Sequence, residues 1–188
     1  KVNMQNQKSA AGSRRRGSSV LFLAQAAVIA ALYTVLTLAA VAMNLAFGPV
    51  QFRFSEALTI LPVFTPAAIP GLTLGCVLSN LWSSFGLADI IFGSLATLLA
   101  ALCSYWLRRA QLLGIPWLSV LAPVLFNALI VGAEITFLAP EGFLWPAFLT
   151  TALSVGAGEL LVCVVLGIPL LLLIRRMKLD ERFFSLIN

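Results

Sequence analysis

The sequence predicts an all-α, polytopic membrane protein of six transmembrane helices with both termini cytoplasmic. Composition is the first observation: of 188 residues, 61% are hydrophobic and only 10% charged. With a mean hydropathy of +1.02, this exceeds what a soluble domain of that size can bury. The second is the recurrence of apolar runs at or near bilayer length. The third is charge placement: with the N-terminus inside, eleven of the twelve Lys and Arg residues fall on the cytoplasmic side and only Arg53 outside, as the positive-inside rule requires. A pI near 9.6 raises the prospect of nucleic acid, but the cations sit at segment ends and form no basic face. The expected surroundings are the lipid bilayer of the cell membrane, with no nucleic-acid partner.

Taken in order, residues 1–19 are polar and basic and are expected to form a disordered cytoplasmic tail. The apolar run that follows is too long for a signal-peptide core, so it is read as an uncleaved first span. That span, Val20 to Phe47, carries Ala26, Ala27, Ala30 and Ala31, two pairs of small residues four apart. This spacing lets another helix approach closely, inside the subunit or outside it. Residues 48–71, GPVQFRFSEALTILPVFTPAAIPG, place Arg53 and Glu56 beside apolar and proline residues in a chain that spends almost no other charge between its ends. An ionisable group in hydrocarbon costs at least a few kcal/mol unless paired or facing a wet cavity, which marks this stretch functionally. Two short segments follow, 56–68 and 71–85, read either as short tilted helices or as a re-entrant hairpin. Full spans come next at 88–107, 117–138 and 146–174, closing a membrane domain over 20–176 ahead of a cytoplasmic tail at 177–188.

Four acids remain for the membrane domain. Glu56 and Asp89 are placed at helix starts near the outer surface, Asp89 as an N-cap; Glu134 sits about one turn below the outer end of its helix, and Glu159 near the middle of the last. Asn127 and Glu134, seven apart, fall on nearly one helical face and predict a polar ladder. Asn80 adds a donor and acceptor at the outer level. The structural alternative for Asn80 and Asn127 is interhelical hydrogen bonding alone. Trp82 and Trp145 fall at the outer interface, Trp106 and Trp117 at the inner one. There is no histidine, no P-loop and no CxxC among the three cysteines, so neither Ser-His chemistry, nucleotide hydrolysis nor a zinc site is expected. No cofactor, metal or enzymatic activity is predicted.

Three strings carry a resemblance: AALYTVLT at 30–37, VQFRFSEALTILPVFTPAAIPGL at 50–72 and GLADIIFGSLATLLAALCSYWLR at 86–108. Through them the chain from Ala26 to Ile174 resembles a substrate-binding S component of an energy-coupling factor (ECF) transporter, and more narrowly the QueT family of proposed queuosine-precursor carriers. The resemblance implies six helices, a ligand site near the outer face, and partners in a transmembrane T subunit and two ATPase subunits. It also implies that the alanine face of the first helix, Ala27 and Ala31 or Ala26 and Ala30, meets the T subunit. A deazaguanine base offers N–H donors on one edge that a carboxylate accepts in pairs. The expected substrate-binding set is therefore Glu134 or Glu159 on the base edge with Asn127 adding a hydrogen bond. Arg53 and Glu56 order the outer loop, Asn80 and Asp89 stand close by, and Trp82, Trp145 or Phe52 stacks on the ring. An S component for another vitamin or base, a stand-alone secondary transporter and a structural membrane partner remain as alternatives.

Overall fold

In a computed structural model, the chain is described over residues 2–46, 51–83 and 85–180, with side chains from Ser18 onward. Six helical segments follow one another: α1 (Val2–Ala42), a 3-10 helix (Phe54–Val63), α2 (Ala68–Asn80), α3 (Leu87–Leu107), α4 (Trp117–Phe137) and α5 (Trp145–Arg176). The last two each contain a π-turn, Asn127–Val131 and Cys163–Gly167. Among the described residues the only β geometry is a single bridge between Leu112 and Ile115 in the α3–α4 connection. The α1 backbone is already helical at Val2, where composition predicts a disordered tail; Ala, Gln, Lys and Arg in that stretch are good helix formers. Of the C-terminal tail, residues 181–188 lie outside the described residues, as do 47–50 of the stretch that leads into Arg53.

Four segments are long and apolar enough to cross a bilayer unaided: Ser18–Ala42 of α1, then α3, α4 and α5. The other two are shorter. Ten residues of 3-10 helix and thirteen of α-helix each rise about 20 Å, against a hydrocarbon thickness of about 30 Å. Proline sets their limits. Pro62 lies in the last turn of the 3-10 helix, Pro66 in the break, and Pro70 in the first turn of α2, where a missing N–H costs nothing. Thr65 closes the break by accepting the Ala67 N–H at 3.3 Å and donating to Gln25 of α1 at 3.0 Å.

The 3-10 helix is the innermost element. It touches every other helical segment, and all residues from Ser55 to Pro62 are buried. Around it Tyr33, Leu58, Ile60, Leu61, Leu72 and Leu171 form the main apolar cluster. Helix α2 lies against α1 through Gly71 and Gly75. A Cβ on Gly71 would stand 2.8 Å from the Ala26 carbonyl oxygen, and one on Gly75 2.9 Å from that of Ala30. Ala26 and Ala30 are thus buried within the bundle, while Ala27 and Ala31 point outward.

Prolines inside the long helices have visible compensations. Pro123 cannot donate to the Ser119 carbonyl one turn back. Ser104 of α3 donates its hydroxyl there instead at 2.9 Å, and Ser119 returns a bond to the Ser104 carbonyl at 2.8 Å. In α5 the ring of Pro169 would crowd the Val165 carbonyl of a regular helix; Val165 lies inside the π-turn, whose wider ring relieves the clash. Helices α4 and α5 meet at small residues, with an added Gly132 Cβ only 3.0 Å from the Ala152 Cα and a Gly156 Cβ 3.2 Å from the Ala128 Cβ.

Candidate functional site

Gln51 and Arg53 precede the 3-10 helix in extended backbone, and Ser55 continues the alternation. All three side chains turn inward, while Phe52 and Phe54 are only partly buried. The 3-10 helix then aims Glu56 into the bundle. Tyr33 of α1 donates its hydroxyl to Glu56 Oε1. One turn further along α1, Thr37 donates to Ser55 Oγ at 2.7 Å. On the opposite side, α5 presents Glu159 and Cys163. The thiol lies 3.5 Å from Glu159 Oε1 and 4.0 Å from the Glu56 carbonyl oxygen, and Thr59 donates to that carbonyl at 2.6 Å. Arg53 donates through Nε to the Ala46 carbonyl at 3.4 Å.

These residues enclose a cavity lined by Gln51, Arg53, Glu56, Asn127, Val131, Val155 and Glu159, with a free volume of about 10 Å³, room for about one water molecule. Two carboxyls, two carboxamides and a guanidinium converge on it, so donors and acceptors face each other across a gap that apolar helices seal from lipid. Larger hollows are far less polar: one of about 450 Å³ between α3 and α4 has Glu134 as its one charged lining residue among apolar side chains such as Phe92, Leu129 and Phe137. A groove of about 650 Å³ between α3, α4 and α5 is walled by aliphatic side chains such as Leu121, Leu125 and Leu153, with nothing polar to orient a guest.

The sequence places Arg53 and Glu56 at the mouth of the bundle. The structure corrects this: they are 7% and 2% exposed, because the 3-10 helix that carries them occupies the centre. Asn127 and Glu159 line the same cavity as Arg53 and Glu56. Glu134 does not share this cavity, and the expected ladder with Asn127 is broken. The π-turn between them inserts an extra residue into the helical turn, so Asn127 and Val131 line the cavity while Glu134 faces Asp89 of α3. Asp89 is not an N-cap. Gly86, with φ +61°, holds that position, and Asp89 lies in the first turn, fully buried, accepting a hydrogen bond from Ser83. Asn80 donates to the Asp89 backbone carbonyl at 2.8 Å. Trp82 and Trp145 stand away from the cavity, 59% and 68% exposed. Trp145 packs instead edge-on to Phe143, ring centres 5.3 Å apart, and to Phe148 at 5.9 Å.

Sequence reasoning missed Tyr33, Gln51 and Cys163. Tyr33 could have been found as the lone phenol in an otherwise aliphatic and alanine-rich span, and Gln51 from the period-two alternation into Arg53 and Ser55. Nothing in the sequence distinguishes Cys163 from its aliphatic neighbours. One guanidinium, Arg53, lies within electrostatic reach of all four membrane-domain acids, Glu56, Asp89, Glu134 and Glu159. Carboxyls thus outnumber cations, an arrangement suited to a guest that brings hydrogen-bond donors or positive charge.

Comparison with known proteins places the chain in a family. The family model described as QueT transporter matches residues 23–176. The chain is 42% identical over 72 residues to the queuosine precursor transporter QueT of Lactococcus lactis subsp. cremoris (strain MG1363), a stretch that covers 38% of this chain and 42% of that protein. The match thus spans less than half of the relative's length. No solved structure matches. A family match over most of the chain, together with four long apolar helices, identifies a multi-pass protein of the cell membrane that belongs to the QueT transporter family.

Proposed function

We propose that the chain is the substrate-binding S component of an ECF transporter, taking a queuosine precursor with a deazaguanine base from outside and delivering it inward with a T subunit and two ATPase subunits. The observation that carries this reading is the sealed cavity of Arg53, Glu56, Asn127 and Glu159, in a chain whose family is named for transport. A carboxyl such as Glu159 accepts the paired N–H donors of the base edge, and Asn127 and Gln51 supply both donors and acceptors for its carbonyl and ring nitrogens. Because ligand pockets usually exceed about 300 Å³, binding displaces the extended 51–53 segment or α5. The outward alanines, Ala27 and Ala31, support a T-subunit contact on the lipid side of α1, since Ala26 and Ala30 are already used against α2. Six crossings with both termini inside, the two short segments crossing as thin elements shielded by the other helices, agree with the charge placement. The acids and the one arginine bind and orient; no group is assigned a catalytic step.

Purified protein should bind a deazaguanine base, and Glu159→Gln should weaken binding at least tenfold, about 1.4 kcal/mol. Wild-type protein without affinity for any such base would reject the substrate, and undiminished affinity in the variant would reject the carboxyl as the reader of the base edge. Uptake that proceeds without co-expressed T and ATPase subunits would favour a stand-alone carrier instead.

A further inference from the structure

Apart from the cavity, a second group of buried oxygens gathers where α2 ends, α3 begins and α4 approaches its end. Asn80 and Asp89 are 0% exposed and Glu134 4%. The Asn80 amide nitrogen donates to the Asp89 backbone carbonyl at 2.8 Å and points to Cys76 Sγ at 3.4 Å, which fixes the orientation of its carboxamide. Its Oδ1 then receives no donor. Asp89 accepts from Ser83 through Oδ2, but Oδ1 receives none, and neither oxygen of Glu134 has a partner. Glu134 and Asp89 are near enough across the α3–α4 seam to influence each other, and Arg53 acts electrostatically on both carboxyls.

Where the cavity mixes donors with acceptors, this group offers acceptors alone. Buried acceptors without donors are rare in folded proteins and call for a missing partner. A proton shared between Asp89 and Glu134 satisfies at most two of the four unpartnered oxygens, Asn80 Oδ1, Asp89 Oδ1 and the Glu134 pair. A cation drawn to the two carboxyls offsets buried acceptors that a single proton leaves unmet. With Arg53 offsetting one of the two carboxylates, a single negative charge is left for a monovalent ion to balance, and the unpartnered oxygens are fewer than the six or more that a divalent ion takes. Among the described residues no group of three acidic, Cys or His side chains is arranged to hold a metal ion. We propose that Asn80, Asp89 and Glu134 form a monovalent-cation site beside the cavity, filled either by an ammonium group on the bound ligand or by a free alkali ion. The ligand version rests on the function proposed above; the alkali-ion version does not.

The test uses the full-length purified chain in detergent. Its melting temperature is measured without ligand at constant ionic strength while N-methyl-D-glucamine is replaced by Na⁺, by K⁺ or by methylammonium. Affinities are then compared for a deazaguanine base with and without an aminomethyl group. A saturable rise in melting temperature with Na⁺ or K⁺ assigns the site to an alkali ion. A rise with methylammonium alone, together with at least tenfold tighter binding of the aminomethyl base, assigns it to the ligand's ammonium. Either response should vanish in Glu134→Gln and in Asp89→Asn and persist in Glu141→Gln, a change in the exposed α4–α5 loop. Wild-type protein indifferent to all three cations and to the aminomethyl group overturns the proposal, as does a response that survives both Glu134→Gln and Asp89→Asn. If no base binds at all, the transport assignment fails while the cation titration still decides this one.

Discussion

Tyr33→Phe isolates one of the contacts that tie the first helix to the central 3-10 element. The ring is fully buried and its hydroxyl donates to Glu56 Oε1. Phenylalanine fills the same space and opens no cavity, so the substitution removes one donor and little else. Glu56 Oε2 already lacks a partner, so the variant leaves both oxygens of a buried carboxyl unsatisfied. An orphaned buried acceptor costs about 1–3 kcal/mol. For a chain of this length each kcal/mol lowers the melting temperature by about 2–4 °C, which gives an expected drop of about 2–12 °C. Melting in detergent, followed by intrinsic tryptophan fluorescence, reads the change. Pairing with Glu56→Leu completes a double-mutant cycle: once the carboxyl is gone, Tyr33→Phe should cost less than half of what it costs in the wild type. A Tyr33→Phe variant that melts within about 1 °C of wild type, or a strictly additive cycle, would refute the claim that this hydrogen bond helps to hold α1 to the centre.

Gly75→Leu places a Cβ 2.7 Å from the Tyr33 Cβ, so α1 and α2 must separate, at a cost of about 1–3 kcal/mol on the same melting assay. Ser104→Ala strands the Ser119 carbonyl and should cost about 1–3 kcal/mol. Adding Pro123→Ala returns the helical N–H and should recover most of that loss, and a double variant no more stable than Ser104→Ala would disprove the compensation. Ala31→Trp should leave melting and base binding unchanged while abolishing co-purification of the T and ATPase subunits; Ala30→Trp should instead lower the melting temperature by wedging α1 from α2.

Hydropathy and charge placement made the helical membrane class and the long spans legible, because bilayer length and loop charge act residue by residue. The stretch around Arg53 and Glu56 was legible as unusual for the same reason: two opposite charges in apolar surroundings stand out from sequence alone. Its depth was not. Whether a short proline-bounded segment lies at a surface or at the centre depends on what the other helices leave open, and Glu56 meets Cys163 and Glu159 only through packing. The phase of Glu134 relative to Asn127 was also hidden, since a π-turn changes helical register without a residue type that announces it; only Pro169 signals its counterpart in α5. The ambiguity between the two alanine pairs of α1 needed Gly71 and Gly75 beside it, because periodicity alone cannot say which of two neighbouring faces meets a sister helix.

The central place of the 3-10 helix bears on how the chain is made. Thr59 and Cys163 are in contact although 104 residues separate them, so the ribosome needs about 5–20 s after Thr59 to supply that neighbour. Throughout that interval Arg53 and Glu56 sit on a stretch too short to partition into lipid by itself, sheltered by the helices already made but open on the side that α5 will close. Biogenesis therefore ends with the centre of the molecule, not its periphery, and a nascent chain arrested before Trp145 leaves Arg53 and Glu56 open to the insertion and quality-control machinery of the membrane.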